Sequence, residues 1–473
     1  MREGWPRQLR SRAVAGAFRA LLALPLAFTL SCVSPGTGPP GVRLSTVGGH
    51  TPVVFVPGVT GTKLVDPRDG ELVWGSSKQL VFPRDGGYRL ALPLAQLAPP
   101  GPVTAAPGSD NPAHPQSRYE TPEPLWQMRL PGWTKPIYLP LLERFEQAGY
   151  RLGELTSPEP ADDLFFFNYD WRYGNLDAVH RLDDQLEALS EARGGTEVDL
   201  ICQSNAAKIC RWLAKYGTLD PDGADAGVAW QRGYHIRKLI LIGASNNGAL
   251  RVLQLLLQGR NYVPLVGRRM FPETFFSIRP LFEDLPADRD DLFFDEGGSN
   301  LAVDLFDARN WLEYGWSIFS RDASERLRRE PRTDLFGDRE AQLDYLRRQL
   351  RSARRIQLLL ARDSEHFQEN LRYYRLENES SPTIDRALLT RKRGDWRTYF
   401  LGDRRIDRDP VLRKLAAAPG DGHAVLTSQR GLSPQEVAAI SDSRMVTGGH
   451  FEAIVEPEGL DAIMAFLAAR DDS

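Results

Sequence analysis

The sequence predicts an α/β fold in which a mainly parallel central sheet carries helices on both faces and a large cap is inserted. Two observations lead to this class. Apolar strand segments alternate with helical segments over most of the chain, which is typical of a parallel sheet covered on both faces. The alternation stops over about residues 259–395, where aromatic-rich irregular segments and a long charged helix (339–372) are predicted, and then resumes.

The elements before the interruption each have a local cause. The first strand is a short apolar run that ends at Pro57-Gly58, a turn-forming pair. The first two helices have apolar residues at helical spacing and stop at Gly149 and Gly194. The predicted elements of this part are strands 53–56, 164–167, 198–201 and 235–242, and helices 139–149, 176–193, 205–216 and one from about 249.

The elements after the interruption complete the same pattern. The alternation of strand and helix resumes here and ends with a last helix. The predicted elements of this part are strands 397–401, 424–427 and 444–447 and helix 459–470.

The composition excludes several classes of protein. The chain has 473 residues, of which 42% are hydrophobic, so it has ample material for a core. A net charge of −3 indicates neither a nucleic-acid partner nor an acidic tail. Three cysteines are too few for a disulfide-rich scaffold.

The first 31 residues are predicted to be a lipoprotein-type signal peptide. Five arginines precede an apolar run over residues 20–30, which is shorter than the roughly 20 residues of a membrane span. The run ends at Thr29-Leu30-Ser31-Cys32, which resembles a bacterial lipoprotein signal, although Leu is usual where Thr29 stands. Cys32 would then carry the lipid, residues 32–50 would form a flexible tether, and residues 51–473 the folded domain. An ordinary cleaved signal or an uncleaved anchor is the alternative.

The chain would accordingly be exported and held at a bacterial cell membrane by its lipid. Cys202 and Cys210 would remain as the other two cysteines. They lie eight residues apart in one predicted strand-turn-helix, and this placement argues against a disulfide between them.

Ser204 is the candidate nucleophile. A buried strand leads directly into a helix, with this serine at the corner, which is the context of a nucleophile elbow. The strained turn needs small residues two positions before and after, and Cys202 and Ala206 are small, although neither is the usual glycine. The alternative is a serine that only caps the helix.

His450 and Asp421 are the candidate base and acid. Of the seven histidines, His450 follows the last predicted strand through a Gly-Gly turn and precedes the last helix, where the base belongs in this order of elements. Asp421 stands in a Pro-Gly-Asp-Gly loop upstream, with Asp403 as the rival. His423 is interpreted as a loop residue, and a surface position is the alternative for His450.

An acyl-transfer site also needs backbone donors for the developing oxyanion. One would be the N–H of Asn205, directly after the nucleophile. The other would be the N–H of Val59, in the turn after the first strand.

Several blocks together resemble the lecithin:cholesterol acyltransferase family of α/β hydrolases. They run in order from about residue 52 to 467, and the tetrapeptide Tyr169-Asp170-Trp171-Arg172 is the most specific of them. The others are the segment 53–61, the elbow, the segment 243–248, the segment 305–316, Gly420-Asp421-Gly422 and Gly449-His450.

This resemblance implies an α/β-hydrolase fold and a Ser204, Asp421, His450 triad, with Val59 and Asn205 as the oxyanion donors. It also implies acyl transfer from a glycerolipid or phospholipid ester to water or an alcohol, with no metal or organic cofactor. The chain departs from the family pattern at the elbow (residues 202–206), at Ser245 where Pro is usual, and at residues 423–424.

Two other functions stay open. One is a general carboxylesterase or lipase, and the other is a catalytically degraded relative that binds lipid or a partner. The cap segments 270–276 and 292–294 are rich in aromatic residues. They would contact lipid if exposed, and the pattern favours the alternative, a cap core.

Overall fold

The computed structural model describes residues 50–97, 117–130, 133–227, 231–263, 267–287, 289–368 and 370–470. The predicted signal peptide, Cys32 and the tether up to residue 49 lie outside the described residues.

The strands of the described part form one large sheet and several small ones. Their bounds are β1 Val53–Val56, β2 Leu64–Asp66, β3 Glu71–Trp74, β4 Gln127–Leu130, β5 Trp133–Pro136, β6 Leu164–Phe166, β7 Thr196–Gln203, β8 Tyr234–Ile242, β9 Phe293–Phe294, β10 Asn300–Leu301, β11 Arg372–Glu377, β12 Ser381–Ile384, β13 Ala387–Lys392, β14 Asp395–Tyr399, β15 Ala417–Gly420 and β16 Ile440–Met445.

The central sheet has the order β16-β11-β8-β7-β1-β6, and every neighbouring pair in it is parallel. All four residues of β1 are fully buried. Such continuous apolar strands are typical of parallel sheets that are covered on both faces. The predicted α/β class with a mainly parallel sheet is confirmed.

Helices cover both faces of this sheet, and further helices belong to the cap and the connecting segments. Their bounds are α1 Ser77–Val81, α2 Leu139–Gln147, α3 Asn175–Arg193, α4 Ala206–Tyr216, α5 Pro221–Asp225, α6 Leu250–Gln258, α7 Pro272–Phe276, α8 Arg279–Glu283, α9 Ala308–Glu313, α10 Arg321–Arg329, α11 Thr333–Phe336, α12 Arg339–Ala361, α13 Arg404–Asp407, α14 Pro410–Ala416, α15 Leu426–Gln429, α16 Pro434–Ala438 and α17 Pro457–Ala468.

Strand β1 divides the core into two clusters. Val54 and Val56 pack into the cluster that includes α3, α4, α6 and the cap, whereas Val53 and Phe55 pack with α2 and α17. Successive side chains of a strand point to opposite faces, so this division places apolar layers above and below the sheet.

Strand β11 of the central sheet lies within the range that the sequence predicts to be an insertion. The long helix predicted over 339–372 ends at Ala361, and Arg372–Glu377 is a central strand inside the range 259–395 that the sequence marks as an insertion. Its apolar residues Tyr373 and Leu376 are buried between β8 and β16. The sequence pattern did not reveal this strand, because its charged residues continue the charge-rich pattern of the helix that precedes it.

Two other predicted strands do not belong to the central sheet. The predicted strand 397–401 corresponds to β14, which pairs antiparallel with β13, and the predicted strand 424–427 gives way to α15. Strand β13 also pairs with β9, so the segments of the chain that precede and follow β11 share the four-stranded sheet β10-β9-β13-β14. Both segments therefore contribute to the cap.

The aromatic cap segments form core. Phe275, Phe276, Phe293 and Phe294 are all buried, and Phe276 packs against Tyr345 of α12 with ring centroids 5.3 Å apart. These rings stabilise the cap from inside and do not form an exposed apolar face.

Candidate active site

Ser204 stands at a sharp corner between β7 and α4. Its φ is +58°, a left-handed conformation that costs a residue other than glycine roughly 1–2 kcal/mol. Its N–H donates to the Ile242 carbonyl at the end of β8, at 2.9 Å, and helps to hold this corner. The residue at the N-cap of α4 is Asn205, so Ser204 is not the capping serine of the alternative interpretation.

Cys202 and Cys210 form a disulfide, contrary to the prediction from their spacing. The prediction rested on their separation of eight residues within one strand-turn-helix. The tight turn at Ser204 instead brings the second turn of α4 back beside the end of β7, and the Cα atoms of the two cysteines are 6.5 Å apart. The covalent bond therefore joins the two elements that flank the serine.

The side chains of Ser204, His450 and Asp421 form one hydrogen-bonded series. His450 Nε2 lies 2.9 Å from Ser204 Oγ, and His450 Nδ1 lies 2.7 Å from Asp421 Oδ2. With the proton on Nδ1 donated to the carboxylate, Nε2 is left to accept the serine hydroxyl proton. This is the arrangement of a nucleophile, a base and an orienting acid.

The acid is fixed by its own loop. Asp421 Oδ1 accepts the backbone N–H groups of His423 and Ala424, each at 2.8 Å, which leaves Oδ2 for His450. The rival carboxylate, Asp403, lies elsewhere, where it accepts from the Gln258 side chain at 2.9 Å and from a backbone N–H.

The acid–base pair sets the protonation of both groups. Burial by itself would raise the pKa of Asp421, but the charge of His450 and its hydrogen bond outweigh it, and the pKa lies below its ordinary value. Burial by itself would lower the pKa of His450, but the charge of Asp421 outweighs it, and the pKa lies above its ordinary value. Asp421 thus stays ionised while the imidazole gains and loses a proton.

The turn after β1 lies directly against Ser204. A Cβ on Gly58 would come within 2.9 Å of Ser204 Cβ, so only glycine fits there. Among the described residues, neither the Val59 nor the Asn205 backbone N–H donates to a protein acceptor. The Asn205 side chain is held by reciprocal amide hydrogen bonds with Asn175 at 2.7 and 3.3 Å. Asn205 directly follows the serine in the chain, and Val59 directly follows Gly58, which lies against the serine.

A second polar group, which the sequence did not reveal, adjoins the base. The ring of His423 lies 4.6 Å from that of His450, and its Nε2 lies 3.6 Å from Asp284 Oδ2. Asp284 in turn accepts from Ser245 Oγ at 2.6 Å and pairs with the buried Lys208. Burial, followed by the charge of His450, lowers the pKa of the His423 imidazole. The closeness of residue 423 to the acid in sequence was the one available indication.

Two further features of the described residues concern metal binding and membrane spans. They contain no group of three or more His, Cys, Asp or Glu residues that could hold a metal ion. No helix among them is long and apolar enough to cross a membrane.

The central sheet, its covering helices and the serine at a strand–helix corner give the chain an α/β-hydrolase fold. A chain in the crystal structure of a Tle4–Tli4 complex is similar to it, with a TM-score of 0.51 and 13% sequence identity. The similarity covers 89% of this chain and 99% of that chain. At this identity it concerns the fold.

No protein-family model and no curated protein matches the chain. The likeness to the lecithin:cholesterol acyltransferase family therefore stays a prediction from the motifs.

Proposed function

We propose that this protein is a serine acyl-enzyme that hydrolyses or transfers acyl groups of glycerolipid or phospholipid esters. The observation that carries the proposal is the hydrogen-bonded series of Ser204, His450 and Asp421 at the carboxyl edge of the parallel sheet. Ligand sites in α/β folds lie at this edge, because the loops that leave the strands converge there.

In the first half-reaction Ser204 Oγ attacks the ester carbonyl carbon and its proton passes to His450 Nε2. The backbone N–H groups of Val59 and Asn205 would stabilise the oxyanion that forms. The bond to the alcohol then breaks, and His450 returns the proton to the leaving oxygen. An acyl group remains on Ser204.

In the second half-reaction water or an acceptor alcohol gives its proton to His450 and attacks the acyl carbon. Ser204 leaves with the proton, and a free acid or a new ester is released. Both acceptors share the same acyl-enzyme, so the same residues serve hydrolysis and transfer.

The serine mechanism is tested by replacing Ser204 with alanine. We expect turnover of ester substrates to fall by about 10⁴- to 10⁶-fold and labelling by a fluorophosphonate to disappear. Ser324→Ala, on the exposed surface of α10, is the matched control and should keep both. A folded wild-type chain that neither turns over any ester nor is labelled would favour the non-catalytic relative instead.

The lipid preference is supported by the motif resemblance. The buried aromatic residues of the cap do not add to it, because they form core. Two assays distinguish a lipid-specific enzyme from a general carboxylesterase, and hydrolysis from acyl transfer. The first compares esters of one alcohol with short and long acyl chains. The second uses phospholipid vesicles with and without an added alcohol. We expect kcat/KM to rise with chain length; equal values for all chains would indicate a general carboxylesterase.

We also propose that the chain is exported and anchored to a bacterial membrane through a lipid on Cys32. The Arg-rich start and apolar run support this, and so does the Cys202–Cys210 disulfide, because structural disulfides persist mainly in oxidising compartments. Metabolic labelling with a fatty-acid analogue should mark the wild type and Ser34→Ala but not Cys32→Ser. Equal labelling of all three would refute the anchor.

A further inference from the structure

We propose that Tyr169, Trp171 and Trp74 are positioning residues that hold the oxyanion turn, defined here as residues 57–62, in its working geometry. The inference rests on the proposed acyl-enzyme mechanism and assigns a role to residues that do not touch the reacting atoms. It gives the tetrapeptide of residues 169–172 a specific task.

Each of the three aromatic side chains donates a hydrogen bond to a carbonyl of the oxyanion turn. Tyr169 Oη donates to the Pro57 carbonyl at 2.9 Å, and Trp171 Nε1 donates to the Thr62 carbonyl at 3.0 Å. Trp74 Nε1 donates to the Thr60 carbonyl at 2.8 Å. All three side chains are buried.

The turn needs such external support because it has little of its own. Within it, the Gly61 N–H donates to the Gly58 carbonyl at 3.0 Å, and Thr60 has a φ of +73°. A positive φ at a threonine is unfavourable and persists only where the surroundings impose it. The hydrogen bond from Tyr169 holds the backbone before Thr60, and the hydrogen bond from Trp74 holds the carbonyl of Thr60 itself.

These bonds fix the direction of the Val59 N–H. A peptide group is planar and trans, so its N–H points opposite to its C=O. The Gly58 carbonyl points to Gly61, which turns the Val59 N–H away from the interior of the turn. Tyr169 holds the peptide group directly before it, and Trp74 holds the second peptide group after it, so the Val59 N–H between these two points cannot rotate freely.

The positioning residues are themselves held rigidly. The rings of Trp74 and Trp171 meet edge to face with centroids 5.4 Å apart. The other two residues of the tetrapeptide, Asp170 and Arg172, form a fully buried ion pair, and the guanidinium lies 4.4 Å from the centroid of the Tyr119 ring. A rigid support of this kind is what an oxyanion donor requires, since it must not reorganise during the reaction.

The test removes one side-chain hydrogen-bond donor at a time. Tyr169→Phe deletes the donor to Pro57 and keeps the ring. Tyr216→Phe is the matched control, because Tyr216 Oη donates to the Leu359 carbonyl at 2.7 Å, away from the site. Trp171→Phe and Trp311→Phe form a second pair, since Trp311 Nε1 also donates to a backbone carbonyl, that of Leu305, at 2.8 Å.

We expect Tyr169→Phe to lower kcat by about tenfold with KM within twofold, a fraction of the 10²- to 10³-fold effect of losing an oxyanion donor outright. The affinity for an alkyl trifluoromethyl ketone, which forms a tetrahedral adduct with the serine, should fall by the same factor as kcat/KM. Tyr216→Phe should change neither. Trp171→Phe should resemble Tyr169→Phe, and Trp311→Phe should not.

Suppose that turnover of the wild type depends on Ser204 and that the two tyrosine variants have similar thermal stability. Equal kinetics of Tyr169→Phe and Tyr216→Phe would then overturn the positioning role and leave the acyl-enzyme mechanism intact. A rise in KM at constant kcat would also overturn it. A wild type without Ser204-dependent turnover would overturn both.

Discussion

At Gly243 the backbone passes close to the hydrogen-bonded pair of Asp421 and His450, and Gly243→Ala therefore tests the geometry of the site directly. The residue follows β8 and has a φ of +51°. A Cβ there would lie 3.0 Å from Asp421 Oδ2 and 3.2 Å from His450 Nδ1. These two atoms are joined by the hydrogen bond that orients the base, so a methyl group would press on that bond itself.

The structure gives a magnitude for each part of the effect. The left-handed backbone costs an alanine about 1 kcal/mol of folding free energy. The two contacts are shorter than the ordinary carbon separation of about 3.5–4.0 Å, so the acid and base must move apart by a few tenths of an ångström. A 1 Å misplacement in an active site costs about 10²-fold in rate, so we expect kcat to fall by about tenfold or somewhat more.

Gly194→Ala separates the two parts. Gly194 ends α3 with a φ of +74°, and a Cβ there would meet no atom within 4 Å. Urea unfolding should show a loss of about 1 kcal/mol for both variants, whereas steady-state ester hydrolysis should be impaired only by Gly243→Ala. If kcat of the folded Gly243→Ala protein stays within twofold of that of Gly194→Ala, the close contact with the acid–base pair does not govern catalysis.

The remaining predictions concern the acid, the base and the disulfide. Because His450 must be neutral to act as a base and its pKa is raised above 6.5, kcat/KM should fall as the pH drops through a midpoint above that value; a midpoint at or below 6.5 in a pH–rate profile contradicts this. Asp421→Asn should lower kcat by about 10³- to 10⁴-fold and move that midpoint downward, whereas Asp403→Asn should keep kcat within twofold; equal losses in the two variants would argue against Asp421 as the acid. Removing the bond between Cys202 and Cys210, eight residues apart, should lower the free energy of unfolding by about 2.5 kcal/mol on the chain-entropy relation, and denaturant curves of Cys202→Ala/Cys210→Ala that match the wild type would refute this.

The central sheet and the strand–helix corner at Ser204 could be predicted because their causes are local. β7 is an apolar run followed at once by small residues and a helix, so Ser204 at the corner follows from a few neighbouring positions. His450 was found by its place between the last strand and the last helix. In both cases the order of elements along the chain fixes where the side chain lies on the sheet.

The features that the sequence did not reveal depend on partners far along the chain. β11 carries charges that look like part of a helix, but Glu377 is paired with Arg430, whose position only the folded chain fixes. The Cys202–Cys210 pairing depends on how sharply the chain turns at Ser204, which spacing alone does not tell. The contact of His423 with Asp284 joins a late loop to the segment after α8, and no local pattern links them.

The wide separation of the proposed catalytic side chains along the chain also determines when the site forms during folding. Ser204 and His450 are 246 residues apart, and the base is carried by the segment that leaves the edge strand β16. Contacts of such long sequence separation form late, because the chain must lose much conformational entropy before these contacts can stabilise it. A ribosome-bound or unfinished chain that already contains β7 and the serine would still be inert, so the reactivity of the serine would appear only after the last strand has joined the sheet.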